Sequence, residues 1–124
     1  MKLINDFCHI VSKQTTEEGY ACKVSLNERH PFYSVHFPGN PVTPGVCLLQ
    51  IATEILEHKY NRRLLLTKAA NIKFKRLVAP DDQPTFVFSK ILFQNDCLKT
   101  LVSIEDRESQ FVKMSLQYTT VDGQ

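Results

Sequence analysis

The segment from Pro44 to Tyr60 constrains the fold of this 124-residue chain most, because it predicts one long buried helix. A helix tolerates proline in its first turn, and no residue interrupts the helical pattern between Pro44 and about Tyr60. Residues 46–52 are apolar on nearly every side, which is typical of a helix covered by other structure. We therefore expect a central helix with the rest of the chain packed around it.

The other segments predict mainly strands. Apolar residues at helical spacing predict a short helix over residues 2–13, and strict alternation predicts a half-buried strand over residues 20–26. Four further strand-like segments, joined by short polar turns, cover residues 69–78, 84–94, 97–105 and 110–120. Short connections favour an antiparallel meander. The prediction is a single α+β domain over residues 1–124, with a curled antiparallel sheet wrapped around the central helix.

The loop before the central helix holds a histidine, His36, in a stiff frame. Each proline fixes its own φ and biases the residue before it toward extended geometry, while Gly39 and Gly45 allow unusual dihedrals or close approach of a ligand. The prolines of this loop are Pro38, Pro41 and Pro44. The first N–H groups of a helix lack internal partners, and a carbonyl oxygen near Gly45 or Val46 would be polarised there. This pattern favours proton abstraction next to a carbonyl, with His36 as the base.

The run from His36 to Val46 resembles the signature of the 3-hydroxyacyl-acyl-carrier-protein dehydratases, hotdog-fold enzymes of fatty-acid synthesis. The stretch from Ile72 to Asp82 is similar to a later strand and turn of that family, and the likeness covers roughly residues 18–120. The resemblance implies a hotdog fold and dimers with active sites at the subunit interface. It also implies that His36 removes the C2 proton while the Gly45 N–H holds the thioester carbonyl.

The same resemblance places a general acid at position 50, where this chain has Gln50. A glutamine can hydrogen-bond the 3-hydroxyl but has no titratable proton to give. Glu54 lies one helical turn further on the same face, so we expect it to act as the acid directly, through a water or through Gln50. The alternative is that Glu54 pairs with a basic group or reaches solvent.

Residues around this loop supply the expected substrate contacts. If the family geometry holds, Phe32 and Tyr33 line or close an acyl tunnel, with ordinary core packing as an equal alternative. The expected substrate-binding set is Phe32, Tyr33, Phe37, Pro44 and Val46.

Basic residues cluster after the central helix, with seven of the fifteen Lys and Arg residues between Lys59 and Arg76 and no acidic residue among them. Such a face would attract an acidic partner, with a merely solvated face as an equal alternative, and the resemblance implies acyl carrier protein. The expected docking residues are Arg62, Arg63, Lys73, Lys75 and Arg76.

Three functions stay open: a 3-hydroxyacyl-thioester dehydratase, a hotdog thioesterase, and an acyl-thioester-binding subunit of a hotdog heterodimer. A homodimer or higher homo-oligomer is the expected assembly for the dehydratase. The four cysteines and four histidines have no metal-ligand spacing, so we expect no metal, and no cofactor motif is present. No apolar run is long enough for a membrane span, and we expect a cytosolic protein that binds no nucleic acid.

Overall fold

The computed structural model describes residues 2–35, 39 and 41–121. Six antiparallel strands form one sheet in the order β1-β2-β4-β5-β6-β3, and two helices lie between β2 and β3 along the chain. The elements are β1 Cys8–Thr16, β2 Gly19–Leu26, α1 Pro31–Val35, α2 Gly45–Tyr60, β3 Leu64–Phe74, β4 Thr85–Gln94, β5 Cys97–Glu105 and β6 Gln110–Thr120.

The central helix is confirmed as α2, with Pro44 just before it instead of within its first turn. Half of its sixteen residues are buried, and they point in nearly every direction around the helix: Cys47, Leu48, Ile51, Ala52, Thr53, Glu54, Ile55 and Leu56. The sheet covers them with fully buried side chains such as Phe86, Phe88 and Tyr118. Each large apolar side chain buried in this way contributes about 1.5–3 kcal/mol to folding.

The predicted helix over residues 2–13 is wrong. A turn over residues 5–7 is followed by strand β1, which pairs antiparallel with β2. Two of the apolar residues on which that prediction rested are nevertheless buried, since Leu3 is 1% and Phe7 0% exposed. Pairing with β2 overrode the helical pattern, because a strand beside another strand gains a ladder of hydrogen bonds that the sequence period does not reveal.

The four-strand meander is also wrong in one respect. Strands β4, β5 and β6 form a meander, but β3 pairs with β6 and not with β4. The ten residues between β3 and β4, 75–84, are too many for a tight hairpin and carry the chain from one side of the sheet to another. Strand β3 starts at Leu64, five residues before the predicted start, and ends at Phe74. It is therefore an edge strand.

Candidate functional site

The start of α2 presents backbone N–H groups beside an extended proline. Pro44 has φ −61° and ψ 143°, and its carbonyl accepts the N–H groups of Cys47 and Leu48 at 3.0 and 3.3 Å. The N–H groups of Gly45 and Val46 precede these and have no acceptor within the helix. Val46 is 64% exposed, so this helix start lies at the surface. A carbonyl oxygen placed here would meet oriented N–H donors and the positive end of the helix dipole.

Phe74 packs directly over Gly45. A Cβ added at Gly45 would lie 3.1 Å from the Cζ of the Phe74 ring, which is closer than side chains ordinarily pack. A side chain at position 45 would therefore require the Phe74 ring to shift, and the expected close approach of a ligand at Gly45 stays a prediction. Beside this contact lies a mostly apolar cavity of about 210 Å³, whose walls include Val42, Pro44, Leu48, Phe74, Arg76 and Leu77.

A second polar group lies further along α2. The Gln50 Nε2 donates a hydrogen bond of 2.8 Å to Glu54 Oε2, so the two residues contact each other as their spacing predicts. Glu54 is 1% exposed. Its oxygens also accept the backbone N–H of Leu3 at 3.0 and 2.8 Å and that of Ile4 at 2.9 Å. The buried carboxylate thus links the N-terminal segment to the central helix.

These contacts exclude the alternative that Glu54 pairs with a basic group or reaches solvent. A buried carboxylate needs hydrogen-bond donors, and here backbone and amide N–H groups supply them. The negative charge of Glu54 acts on a neighbour as well. Burial raises the pKa of the Cys8 thiol to about 12, and the Glu54 carboxylate adds to this shift.

Tyr33 and Phe32 lie next to the same N-terminal segment. Tyr33 is buried, its ring stacks on Phe7 with centroids 5.1 Å apart, and its hydroxyl lies 2.8 Å from Thr43 Oγ1. Burial raises the Tyr33 pKa to about 12, against the opposing effect of the Thr43 hydrogen bond. The half-buried Phe32 ring lies 5.8 Å from Phe7. Both residues pack in the core, and their contact with an acyl chain stays a prediction.

His36 and Phe37 lie outside the described residues. Within the same loop, Gly39 has φ +83°, a left-handed conformation that favours glycine. This agrees with the expectation that a glycine here allows an unusual backbone dihedral. Thr43, at the far end of the loop, donates its N–H to the Val78 carbonyl at 2.7 Å. The described end of the loop is thereby tied to the segment that follows β3.

Gly45 and Gln50 face different directions. They are five residues apart on α2, which corresponds to about 140° around the helix axis. Gly45 faces Phe74 and the apolar cavity, whereas Gln50 faces Glu54 and the N-terminal segment. Gly45 and the Gln50 side chain therefore lie on different sides of α2.

The five expected docking residues form two groups. Arg62 and Arg63 precede β3, and Arg62 pairs with Asp96 at 3.4 Å. Lys73, Lys75 and Arg76 lie at the other end of this eleven-residue strand, roughly 33 Å away. All five are exposed.

The second group lies near the start of α2. Arg76 contributes to the cavity beside Gly45 and bonds Ser109 at 2.8 Å, while Lys75 bonds Gln110 at 2.6 Å. The two groups therefore do not form one continuous face on a single chain.

Two features of the site escaped sequence reasoning. Phe74, which covers Gly45, lies within the stretch Ile72 to Asp82 that carries the family resemblance, but nothing in its type indicates this contact. The backbone N–H groups of Leu3 and Ile4 carry no sequence signal at all. Over the described residues, no group of three or more His, Cys, Asp or Glu side chains has the arrangement of a metal site. No helix in the described part of the chain is long and apolar enough to cross a membrane.

An antiparallel sheet curled around one long helix, with a proline-framed turn at the helix start, defines a hotdog-fold protein, as the resemblance implied. The chain belongs to the ApeI-like family, described as ApeI dehydratase, whose model matches residues 12–113. The chain is 38% identical over 66 residues to the 3-hydroxyacyl-acyl-carrier-protein dehydratase FabZ of Syntrophomonas wolfei, over 48% of this chain and 44% of that protein. The chain thus spans about half the length of the curated relatives it matches.

Solved structures share the fold at low sequence identity. The dehydratase heterocomplex ApeI:P from Xenorhabdus doucetiae matches with a TM-score of 0.65 at 12% identity, over 89% of this chain and 96% of that chain. A hypothetical thioesterase from Streptococcus pneumoniae, solved with coenzyme A, matches with a TM-score of 0.64 at 13% identity, over 92% and 85%. The hotdog fold is confirmed. The two solved structures that share it are named for different reactions, one a dehydratase and the other a thioesterase.

Proposed function

We propose that this chain is a 3-hydroxyacyl-thioester dehydratase or a close derivative, acting on a chain carried by acyl carrier protein. The observation that supports it best is the helix start at Gly45, where N–H groups lie beside an apolar cavity, in a chain of a dehydratase family. The thioester carbonyl would accept the Gly45 N–H, and the negative charge that develops on its oxygen would be stabilised there. His36, nine residues before Gly45 in the same loop, would take the C2 proton.

The leaving hydroxyl needs a proton, and Gln50 has none to give. The imidazolium that forms when His36 takes the C2 proton is one donor that the reaction itself supplies. It would return the proton to the 3-hydroxyl, so that the C3–O bond breaks, the C2=C3 bond forms and water leaves. Glu54 as the acid remains the other route. We favour His36, because the four hydrogen bonds to the Glu54 oxygens are all donated to it, and a proton there would compete with them.

We further propose that the active unit is a dimer. Gly45 and Gln50 lie on different sides of one helix, and a dimer would let one site combine the Gly45 N–H of one chain with Gln50 of the other. Strand β3 is an edge strand with large exposed apolar residues at Leu65, Ile72 and Phe74. An antiparallel pair of β3 strands would also bring Arg62 and Arg63 of one chain toward Lys75 and Arg76 of the other. That arrangement would combine the two separated basic groups into one docking surface.

The test is to incubate the protein with a 3-hydroxyacyl thioester and with the matching unsubstituted acyl thioester. Dehydration gives new enoyl absorbance with the first substrate and no free thiol with either. His36→Ala should lower this rate by about 10²-fold or more, since a positioned base contributes that much. Thiol release from both substrates without enoyl product would contradict the dehydratase.

Two observations favour alternatives that the same assay separates. The structural match to a hypothetical thioesterase solved with coenzyme A favours hydrolysis, for which thiol release is the signature. The match to the ApeI:P heterocomplex favours a subunit that works beside a second hotdog chain. In that case the purified chain would bind acyl thioester without turnover and gain activity when the partner subunit is added.

A further inference from the structure

We infer that His30 is a pH-dependent N-cap of α1 and, through Tyr33, a positioning residue for the start of α2. Helix α1 is the short helix Pro31–Val35 that precedes the His36 loop. The neutral His30 ring holds the first turn of this helix formed, and protonation of the ring releases it. The consequence for turnover rests on the proposed function, whereas the capping itself does not.

His30 occupies the N-cap position of α1. Its carbonyl accepts the Tyr33 N–H at 3.0 Å, which is the first hydrogen bond of the helix, and Pro31 follows it at the first helical position. An N–H at the second helical position has no acceptor within a helix. Here that residue is Phe32, and its N–H donates to Nδ1 of the His30 ring at 3.1 Å. The imidazole thus takes the place of the serine or asparagine side chain that is common at an N-cap.

The hydrogen bonds of the ring define its neutral form. Because Phe32 donates to Nδ1, that nitrogen carries no proton, and the neutral ring carries its proton on Nε2. Nε2 lies 3.2 Å from Oδ2 of Asp6 and donates to it. One ring nitrogen of His30 therefore accepts from α1, and the other donates to the turn over residues 5–7.

The ring has little room to turn over and exchange its two nitrogens. Its centroid lies 5.0 Å from that of Phe7 and 4.5 Å from that of Phe32, edge to face in both cases, and the His30 side chain is 10% exposed. The charged or titratable residues on the turn 5–7, on the turn before α1 and on α1 itself are Asp6, Glu28, Arg29 and Tyr33. Of these, Asp6 bonds the ring with its side chain, which is 67% exposed.

Protonation of His30 changes its two contacts in opposite ways. Both nitrogens of an imidazolium are donors, so the Phe32 N–H loses this acceptor and faces another N–H group. The bond to Asp6 becomes charge-assisted at the same time. The charged ring therefore stays with the turn 5–7, while α1 loses its cap.

The cap acts on the candidate site through Tyr33. Helix α1 has five residues, and a helix this short is marginal, so a cap changes how often its first turn is formed. Loss of an N-cap shifts that balance roughly twofold to thirtyfold toward the open turn. Tyr33 belongs to this turn, and its hydroxyl lies 2.8 Å from Oγ1 of Thr43, two residues before Gly45. Opening of α1 therefore loosens the contact that holds the start of α2.

The test compares the wild-type protein with His30→Asn at pH 8 and pH 5, on either side of the range in which histidine titrates. Asparagine is among the best N-cap residues and does not titrate, so this variant keeps the cap at both pH values. In the wild-type protein, the NMR ¹³Cα shifts of residues 32–34 should be helical at pH 8 and move toward coil values at pH 5. In His30→Asn they should be helical at both.

The rate of dehydration supplies a second measurement. The ratio of kcat/KM of the wild-type protein to that of His30→Asn should be at least twofold lower at pH 5 than at pH 8, because only the wild-type protein loses its cap. Both proteins contain His36, so its titration cancels in this ratio. A ratio that does not change with pH overturns the positioning role.

Two further variants separate capping from packing. His58→Asn is the matched control, because His58 is exposed in the last turn of α2 and the same chemical change is made away from α1. It should keep the pH response of the wild-type protein. His30→Ala removes the cap at both pH values, so residues 32–34 should lose their helical shifts at both. If His30 acts only by packing its ring on Phe7, His30→Asn and His30→Ala should behave alike, which would overturn the inference.

A measurement on the wild-type protein keeps the inference testable if the variants do not fold. The imidazole ¹⁵N shifts of His30 at pH 8 should show the proton on Nε2, and a proton on Nδ1 overturns the inference. Equal ¹³Cα shifts of residues 32–34 at pH 5 and pH 8 also overturn it and leave the proposed function standing. A pH-dependent α1 in a protein that forms no enoyl product supports the cap and overturns the proposed dehydratase.

Discussion

Tyr33 shows how a single buried hydroxyl joins three parts of the chain around the candidate site. It belongs to α1, stacks on Phe7 of the N-terminal turn, and bonds Thr43 just before α2. Thr43 is in turn bonded to Val78 through its backbone. The end of the His36 loop is therefore held by one side-chain pair and one backbone bond. Removal of the Tyr33 hydroxyl should therefore lower the stability of the protein.

We predict that Tyr33→Phe lowers the free energy of unfolding by about 1 kcal/mol at pH 7, because it removes one buried hydrogen bond. The difference should shrink and then reverse at high pH. The folded pKa of Tyr33 is raised to about 12 from 10.0, so its neutral form is favoured by folding, and this contribution is lost as pH rises from about 10 toward 12. Urea unfolding of both proteins at pH 7 and pH 11 measures this, and a constant difference would contradict it.

At the scale of elements, the periodicity of apolar residues correctly predicted the helix and strands whose pattern matches their burial. The 3.6-residue period of α2 and the alternation of β2 and β4–β6 arise from burial of one or more faces, so the sequence alone contains them. The prediction for β1 was wrong because its pairing with β2 depends on the tertiary fold and not on the local sequence. The predicted start and neighbour of β3 were wrong, because the segment 75–84 carries no local signal that it leads to a strand, β4, that does not pair with β3.

The candidate site divides in the same way. The helix start and the Gln50–Glu54 pair follow from residue type and spacing, and the role of His36 as the base stays a prediction. The hydrogen bonds from Leu3 and Ile4 to Glu54 could not be predicted from the sequence, because every residue except proline carries a backbone N–H group. Phe74 over Gly45 likewise depends on how β3 passes the start of α2.

The end of β3 carries a prediction about partner binding. Charge reversal of Lys75 and Arg76 to Glu should raise KM at least severalfold for substrate on acyl carrier protein, because like charges would replace an attractive surface. KM for a small thioester mimic should stay within twofold. Arg76 also pairs with Asp106 at 3.7 Å and lies 5.0 Å from the ring of the buried Phe111, so the double variant should lose some stability, which urea unfolding measures separately from KM.

The matched control reverses the same number of charges elsewhere. Lys13 lies on β1, at the opposite edge of the sheet, and Lys90 lies on β4; both are exposed. Their reversal changes net charge equally and should leave KM for the carrier-bound substrate unchanged. An equal rise in both double variants would mean that only net charge matters, and an equal rise for both substrates would refute the docking role.

At the scale of the whole molecule, the sheet has two edges of different character. Along β1, residues 12–15 are all polar and exposed, a pattern that discourages pairing with another chain. Along β3, Leu65 is 58%, Ile72 38% and Phe74 62% exposed. Exposed edges with large apolar residues are those at which a second chain adds strands. The asymmetry indicates which edge a second copy would use.

We predict that Leu65→Lys combined with Ile72→Lys converts a dimer to a monomer, because each dimer would place two pairs of lysines in one apolar seam. Val11→Lys on β1, where Val11 is 53% exposed, is the control and should remain dimeric. Sedimentation equilibrium over a hundredfold range of concentration measures the masses. Because the proposed site combines Gly45 of one chain with Gln50 of the other, dehydration should fall together with the dimer fraction. A monomeric wild-type protein with full activity would show instead that one chain completes the site by itself.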